Sequence, residues 1–313
     1  MNQEYTATRA HLPSAADFYE LTKPGITLFV MLSMGIGFVM GSASAGGAEL
    51  FSGSSGLLPF GLDLTLFAGA LLGTWLIAAG TAAHNMYLER GLDGLMRRTS
   101  TRPLPSERIS PSQARLFSYA LMGLGLLVMA LWVNRAAATV SLATSVIYLG
   151  AYTPLKRITP ANVFLGAVPG ALPVVGGWAA ATGHVLDYGM WILFWIMFLW
   201  QVPHVMAIAW LNRDDYAHAG FQMLPRNDPD GLKASAWVLI SLLCLIPNVW
   251  KLGVLGLGGT LWMAGGLLLT LGYLAAGILF SVKRGKTEAR TLMFASFLYL
   301  PGLWLVLFVD RLG

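Results

Sequence analysis

Charged residues are scarce in this sequence. Asp, Glu, Lys and Arg make up 11% of its 313 residues, whereas soluble domains average about 25%. Hydrophobic residues reach 56% and gather in runs of about 20, the length that an α-helix needs to cross the hydrocarbon core of a bilayer. This composition excludes a soluble globular protein and predicts the lipid bilayer as a partner.

Cysteine is nearly absent as well. The one cysteine, Cys244, lies inside an apolar run, which excludes a disulfide framework and a cysteine-based metal site. Residues 1–22 lack the order of a signal peptide and the acid-poor, arginine-rich character of a transit peptide. We interpret residues 1–313 as one membrane-embedded domain that begins with a polar cytoplasmic segment, residues 1–22.

Nine apolar segments are long enough to span a membrane. They lie near residues 24–42, 62–84, 114–133, 136–152, 162–182, 188–211, 233–250, 259–282 and 291–310. The third and fourth segments are separated only by Asn134 and Arg135, which we interpret as a tight helical hairpin. The pattern predicts an all-α polytopic membrane protein.

The basic residues predict the orientation of these spans. With the N-terminus inside, only three of the 20 Lys and Arg residues fall on the outer side, namely Arg135, Lys251 and Arg311. The basic residues do not form a patch with interleaved aromatic residues, so no nucleic-acid partner is expected. The polar stretches that then share the cytoplasmic face are 81–105, 152–162 and 212–231, and they indicate a single site there.

The first polar stretch carries a pattern of oxygen ligands. Its members follow one another at spacings of four: Asn85, Glu89 and Asp93. They share one face if the helix continues. Their oxygens suit Mg²⁺, and the forked side chains of Arg98 and Arg102 suit phosphate oxygens. The stretch predicts a magnesium-bridged diphosphate site, with a solvated helix end as the alternative interpretation.

The two other polar stretches carry charges of both signs. Asp214 and Asp215 follow the sixth span and could hold a second Mg²⁺, or they could cap a helix or face the membrane interface. Tyr152 and Lys156 are four residues apart, with Arg157 beside them. A lysine there can neutralise a departing diphosphate and a tyrosine can donate to it, although positive-inside anchoring would explain the same residues.

Polar side chains also lie within the predicted spans. The sixth span contains Gln201 and His204, and ionisable residues inside a membrane are functional candidates by default. A neutral imidazole can ligate a haem iron or donate to a carboxylate. A histidine satisfied within the core is the alternative, and His84 has the same two interpretations.

These motifs together resemble one family. Asn85-x3-Glu89-x3-Asp93-x2-Met96-x-Arg98-Thr99-x2-Arg102-Pro103-Leu104 resembles the first acidic motif of the UbiA-type membrane prenyltransferases. Three further motifs resemble its heme O synthase (protoheme IX farnesyltransferase) subfamily: Tyr152-Thr153-x-Leu155-Lys156-Arg157, Trp200-Gln201-x-Pro203-His204 and Asp215-Tyr216-x2-Ala219-Gly220-x2-Met223-Leu224-Pro225. Glu89 departs from the commoner aspartate, and the sequence Asn-Arg-Asp-Asp-Tyr leaves open whether Asp214 or Asp215 is a ligand.

The resemblance implies a fold, a location and a reaction. The implied fold is a bundle of nine transmembrane helices around a central cavity open to the cytoplasmic side of the bacterial inner membrane. The implied reaction transfers the farnesyl group of farnesyl diphosphate to the 2-vinyl group of haem B and gives haem O for haem-copper oxidases. Haem A synthase or oxidase assembly factors are the implied protein partners. A prenyltransferase acting on an aromatic quinone precursor is the nearer alternative, and a transporter is the alternative from another class.

The resemblance also implies roles for single residues. The implied Mg²⁺ ligands are Asn85, Glu89, Asp93, Asp214 and Asp215. The implied diphosphate ligands are Arg98, Arg102, Tyr152, Lys156 and Arg157, with a haem propionate as a further possibility for Arg157. The implied catalytic residues are Asn85, Glu89, Asp93, Lys156 and Asp215, and the implied haem-binding residues are His204, Gln201 and His84.

Overall fold

Helices make up most of the chain that the computed structural model describes, which is residues 13–45 and 62–312. In these two ranges, nine helices are long and apolar enough to cross a membrane. The predicted class and number of spans are therefore confirmed. Residues 1–12 of the predicted N-terminal segment, and residues 46–61 of the first predicted outer loop, lie outside the described residues.

Two short α-helices accompany the nine long ones, one before the first span and one after the sixth, and a short 3₁₀ helix covers Leu224–Asn227. In chain order the helices are α1 (Ala15–Leu21), α2 (Pro24–Ala45), α3 (Leu64–Asp93), α4 (Pro111–Val133), α5 (Arg135–Leu155), α6 (Asn162–Thr182), α7 (Tyr188–Leu211), α8 (Arg213–His218), α9 (Leu232–Val254), α10 (Thr260–Lys283) and α11 (Lys286–Leu312). Helix α3 continues beyond the apolar run, so Asn85, Glu89 and Asp93, which are spaced four residues apart, all lie on this helix.

A single residue makes the hairpin between α4 and α5. Asn134 is extended, with φ −167° and ψ 167°, and its side chain accepts a hydrogen bond from the Ala137 N–H to cap α5. Its amide nitrogen also donates to the carbonyls of Ala179 and Ala180 in α6, both at 3.0 Å. The predicted hairpin is confirmed, and the same residue ties it to α6.

Helices α2 and α6 pack with their backbones in close contact. A Cβ on Gly37 would lie 1.9 Å from the Val174 carbonyl oxygen, and one on Gly177 would lie 1.9 Å from that of Met34. Only glycine permits such an approach at these positions, as is typical of membrane helices that pack through small residues. These two helices form part of the wall of a central cavity.

The polar connections meet at one end of the bundle because successive long helices alternate in direction. The Gln222 N–H donates to the Lys156 carbonyl at 2.7 Å and joins two of these connections. Arg108 binds Asp17 and, at 2.7 Å, Glu20, and thereby ties α1 to the loop after α3. This end of the bundle holds the candidate site.

Candidate active site

The polar end of α3 presents a buried stripe of oxygen atoms. Asn85, Glu89 and Asp93 are 1%, 7% and 1% exposed, respectively. Because α3 remains helical through Asp93, the three side chains follow one another turn by turn. Burying carboxylates away from water is unfavourable unless a partner compensates their charge.

Each residue of the stripe is paired with a cation from a different segment. Lys23 Nζ donates to Asn85 Oδ1 at 2.7 Å, Lys156 Nζ to Glu89 Oε1 at 2.8 Å and Arg102 Nη1 to Asp93 Oδ2 at 2.8 Å. The three cations come from the junction of α1 and α2, from the end of α5 and from the loop after α3. The fold therefore concentrates positive charge at one set of oxygens.

Lys23 was missed as a site residue by the sequence reasoning. It has a φ of 47°, in the left-handed region, and residues held in such conformations cost about 1–3 kcal/mol and cluster at functional sites. Burial, and next the charge of Arg102, lower the pKa of Lys23 to about 7. A lone lysine just before the first apolar run, on the face predicted to hold the acidic motif, was the available signal.

Lys156 occupies a different electrostatic setting. Burial alone would lower its pKa, but the Tyr152 oxygen and the Glu89 carboxylate raise the pKa of Lys156 above its ordinary value. Its ammonium group also lies 4.5 Å from the centroid of the Tyr152 ring, a favourable cation–π distance. Lys156 is thus a permanent positive charge directly beside the oxygen stripe.

The second acidic pair stands apart from this stripe. The Asp214 side chain is 82% exposed and lies 3.8 Å from Arg213, whereas Asp215 is half-buried. Among the described residues, no three His, Cys, Asp or Glu side chains come together, so neither aspartate joins Glu89 and Asp93. The difference in exposure favours Asp215 over Asp214.

Two arginines predicted for the site differ in their contacts. Arg98 donates to the Tyr216 hydroxyl at 3.4 Å and so links the loop after α3 to α8. Burial raises the pKa of Tyr216 and keeps this hydroxyl protonated. Arg157 is exposed, and its side chain has no partner within residues 13–45 and 62–312. The structure therefore brings Arg98 to the margin of the site, whereas the role predicted for Arg157 stays a prediction.

The orientation of Asn85 tests whether the stripe fits a metal ion. Thr153 Oγ1 donates to the Tyr148 carbonyl at 2.8 Å and therefore accepts from Asn85 Nδ2 at 3.2 Å. The carbonyl oxygen of Asn85 is consequently turned toward Lys23. One amide oxygen and two carboxylates fit Mg²⁺, which binds proteins through one or two carboxylates and completes its shell with phosphate oxygens and water.

An apolar cavity of about 270 Å³ begins beside the stripe. Lys23 and Tyr152 line its polar end, and the rest of the lining comes from α2, α3, α5, α6 and α7. Ligand pockets span about 300–1,000 Å³, so this volume suits a single slender molecule. The combination fits a compound with an anionic head and a hydrocarbon tail.

The side chains of the three predicted haem residues have three different surroundings. Gln201 lines the cavity, whereas His204 on the same helix faces α11, where its Nδ1 lies 2.7 Å from Ser296 Oγ. His84 is 7% exposed and its Nδ1 lies 2.9 Å from Ser118 Oγ of α4. The structure therefore keeps Gln201 and His204 on α7 and separates them from His84.

Comparison with known proteins adds to this geometry. The UbiA prenyltransferase family model matches residues 52–298. A protoheme IX farnesyltransferase of Solibacter usitatus is 41% identical over 297 residues, which cover 95% of this chain and 99% of that protein. A similar one of Koribacter versatilis is 38% identical and covers 94% of this chain and 93% of its own.

Solved structures share the fold at low sequence identity. A structure of digeranylgeranylglyceryl phosphate synthase has a TM-score of 0.76 at 16% identity, and the match covers 95% of this chain and 98% of that chain. A UbiA homologue from Archaeoglobus fulgidus, bound to GPP and Mg²⁺, has a TM-score of 0.57 at 15% identity over 93% of this chain and 99% of its own. At these identities the likeness concerns the arrangement of the helices.

Proposed function

The chain belongs to the UbiA prenyltransferase family, and on that premise we propose that it transfers the farnesyl group of farnesyl diphosphate to the 2-vinyl group of haem B, giving haem O and diphosphate. The relatives at 41% and 38% identity are named protoheme IX farnesyltransferase. The observation that carries the proposal is the oxygen stripe of α3, ringed by three cations at the mouth of an apolar cavity.

The stripe binds the diphosphate end of the substrate in this proposal. Asn85, Glu89 and Asp93 would hold Mg²⁺ together with diphosphate oxygens. Bound there, Mg²⁺ neutralises the diphosphate and stabilises it as a leaving group. Once Mg²⁺ occupies the stripe, the cations that pair with the stripe in its absence can bind the diphosphate instead. These cations are Lys23, Arg102 and Lys156.

Bond breaking follows from this placement. The bond between the farnesyl C1 and the diphosphate oxygen breaks, and the electron pair leaves with the diphosphate. Lys156 and the Tyr152 hydroxyl stabilise the developing negative charge, as preorganised donors do where charge appears in a transition state. Asp215, the less exposed aspartate of its pair, is the better candidate for a second Mg²⁺.

Bond formation takes place at the apolar side. The vinyl group attacks C1 of the allylic cation, and the cation that forms beside the porphyrin takes up water and loses a proton to give the hydroxyethylfarnesyl chain. The apolar cavity keeps water from the first cation until the vinyl group has reacted. The isoprenoid chain occupies this cavity in the proposal, and the haem lies on the α7 side, where Gln201 and His204 are found.

The identity of the product tests the proposal. We expect membranes of a host that lacks its own haem O synthase to contain haem B alone without this protein, and haem O once it is expressed. Extracted haems are separated by chromatography and identified by mass spectrometry. A prenylated aromatic acid with no haem O would instead support the quinone-precursor alternative, and unmodified substrate crossing the membrane would support a transporter.

We also propose that the site faces the cytoplasm, in keeping with the distribution of basic residues. In a Cys244→Ser background, a cysteine at exposed Leu186, between α6 and α7, should react with an impermeant thiol reagent in intact cells. A cysteine at exposed Ser106, in the loop after α3, should react only after the cells are opened. The reverse pattern would place the site on the outer face and contradict the orientation.

A further inference from the structure

The imidazole of His204 contacts α11 at the edge of the site. Its neighbours along α7, Gln201 and Val205, line the cavity, whereas His204 contacts α11 through Ser296. His204 is half-buried. Polar and ionisable groups at such depth in a membrane are costly and are kept where they have a partner or a function.

The hydrogen bonds of Ser296 determine which nitrogen of His204 carries the proton. Ser296 Oγ donates its proton to the Met293 carbonyl at 2.5 Å, and a hydroxyl group has only one proton to donate. At 2.7 Å from His204 Nδ1, the serine oxygen is therefore the acceptor, and Nδ1 carries the hydrogen. The other ring nitrogen, Nε2, keeps a free lone pair.

This lone pair has no competitor in the described part of the chain. No hydrogen bond there involves His204 Nε2, and this atom is not among the polar side-chain atoms that are both enclosed and unpaired. Nε2 therefore has some exposed surface and no hydrogen-bond partner in the described residues. A neutral imidazole with a free Nε2 lone pair can ligate a metal ion, because neutral Nε2 is a common donor to iron.

Aromatic rings hold the imidazole in place. The His204 ring stacks on Trp200, with centroids 5.2 Å apart and planes at 16°, and Phe297 of α11 meets it edge-on at 4.9 Å. Trp200 stacks in turn on Phe29 of α2 at 5.5 Å, and its indole N–H donates to the Ser296 carbonyl at 2.9 Å. Aromatic rings from α2, α7 and α11 thus form one connected cluster that fixes the plane of the imidazole.

We propose that His204 Nε2 is an axial ligand of the haem iron and that Ser296 is the positioning residue that holds the ligand in its Nδ1–H tautomer. Metal-ligating histidines almost always donate their other N–H to a nearby oxygen, which orients the ring and raises its basicity. Ser296 Oγ meets that requirement before any haem is present. The inference rests on the proposed function, since it takes haem B to be the acceptor substrate.

His84 provides a comparison within the same chain. Ser118 Oγ donates to the Arg115 carbonyl at 2.8 Å and lies 2.9 Å from His84 Nδ1, so the same tautomer is held there. His84 is only 7% exposed and is packed against Tyr87 and Tyr119. Because His84 is more deeply buried than His204, His204 is the better ligand, and Ser118 is a matched control for Ser296.

The test titrates the purified protein in nanodiscs with haem B and follows the Soret band and the iron–histidine stretch by resonance Raman. We expect His204→Ala to lose the iron–histidine band and at least about 10-fold in haem affinity. Ser296→Ala should keep a ligand but shift this band and weaken haem binding by about 10-fold, the size of effect seen when such partners are removed. Ser296→Thr, which retains the hydroxyl, should restore both readouts, and Ser118→Ala should leave both unchanged.

Three outcomes would overturn the inference. They are an unchanged iron–histidine band in a folded His204→Ala protein, a Ser296→Ala protein indistinguishable from Ser118→Ala, and loss of the band in His84→Ala instead. Farnesyl diphosphate binding, measured on every variant, identifies any that have merely lost the fold. Haem O formation by the unaltered protein distinguishes a failure of the proposed function from a failure of the ligand assignment. If no haem O forms, the proposed function is wrong. If haem O forms but His204→Ala keeps the iron–histidine band, only the ligand assignment is wrong.

Discussion

Replacing Asp93 by asparagine is expected to abolish haem O formation while leaving the helical bundle intact. Asp93 is 1% exposed and its Oδ2 lies 2.8 Å from Arg102 Nη1. Asparagine keeps the size of the side chain and removes its charge. Loss of a group that merely orients a metal ligand costs about 10–100-fold, so loss of a direct ligand should lower kcat by at least about 100-fold.

The matched control is another buried aspartate. Asp228 is 5% exposed and accepts from the backbone N–H groups of Lys233 and Ala234 at 3.2 and 2.8 Å, at the start of α9. Asparagine keeps only one of the two acceptor oxygens, so Asp228→Asn should lower the thermal stability somewhat but retain the kcat of the folded protein. Turnover is measured in nanodiscs against Mg²⁺ concentration. Near-normal haem O formation by Asp93→Asn, with an ordinary Mg²⁺ dependence, would remove Asp93 from the site.

The second large effect is expected for Lys156→Gln. Lys156 Nζ lies 2.8 Å from Glu89 Oε1 and 4.5 Å from the Tyr152 ring, beside the place where the diphosphate would leave. Removal of one preorganised donor to a developing anion typically costs about 10²–10³ in kcat. The variant also frees the Glu89 carboxylate from a competing cation, so the apparent affinity for Mg²⁺ should not fall.

A fall in kcat without a loss of Mg²⁺ affinity distinguishes the leaving-group role from a structural one. Lys233→Gln, which removes an exposed lysine at the start of α9, is the control and should behave as the unaltered protein. If Lys156→Gln instead lowered kcat, Mg²⁺ affinity and thermal stability together, Lys156 would be a structural counter-ion of Glu89. An unchanged kcat would exclude it from catalysis.

The membrane helices and the oxygen stripe are predictable from the sequence because both depend on local order. Hydropathy over about 20 residues marks a span, and three oxygen side chains at spacings of four must align once the helix continues. Asn134 is likewise local, since a helix-capping residue between two apolar runs predicts a hairpin. Each of these conclusions needs only neighbours within a few turns of the same helix.

The partners of the stripe depend on contacts between distant segments. Lys23 is 62 residues from Asn85 and Lys156 is 67 from Glu89, and only the packing of α2 and α5 against α3 brings them together. In the sequence alone, a basic residue near a membrane surface indicates only that its loop lies on the cytoplasmic side. The difference between exposed Asp214 and half-buried Asp215 has the same origin, because it is set by how α8 lies on the bundle.

By itself the sequence determined the number of spans, the stripe of Asn85, Glu89 and Asp93 and the likeness to the UbiA family, since hydropathy, helical spacing and motif order are all properties of the linear chain. Only the tertiary structure decided which cation meets which oxygen, that His204 contacts Ser296 on α11, and that an apolar cavity begins beside the stripe. These features depend on the rotation and separation of helices far apart in sequence, which side-chain packing sets.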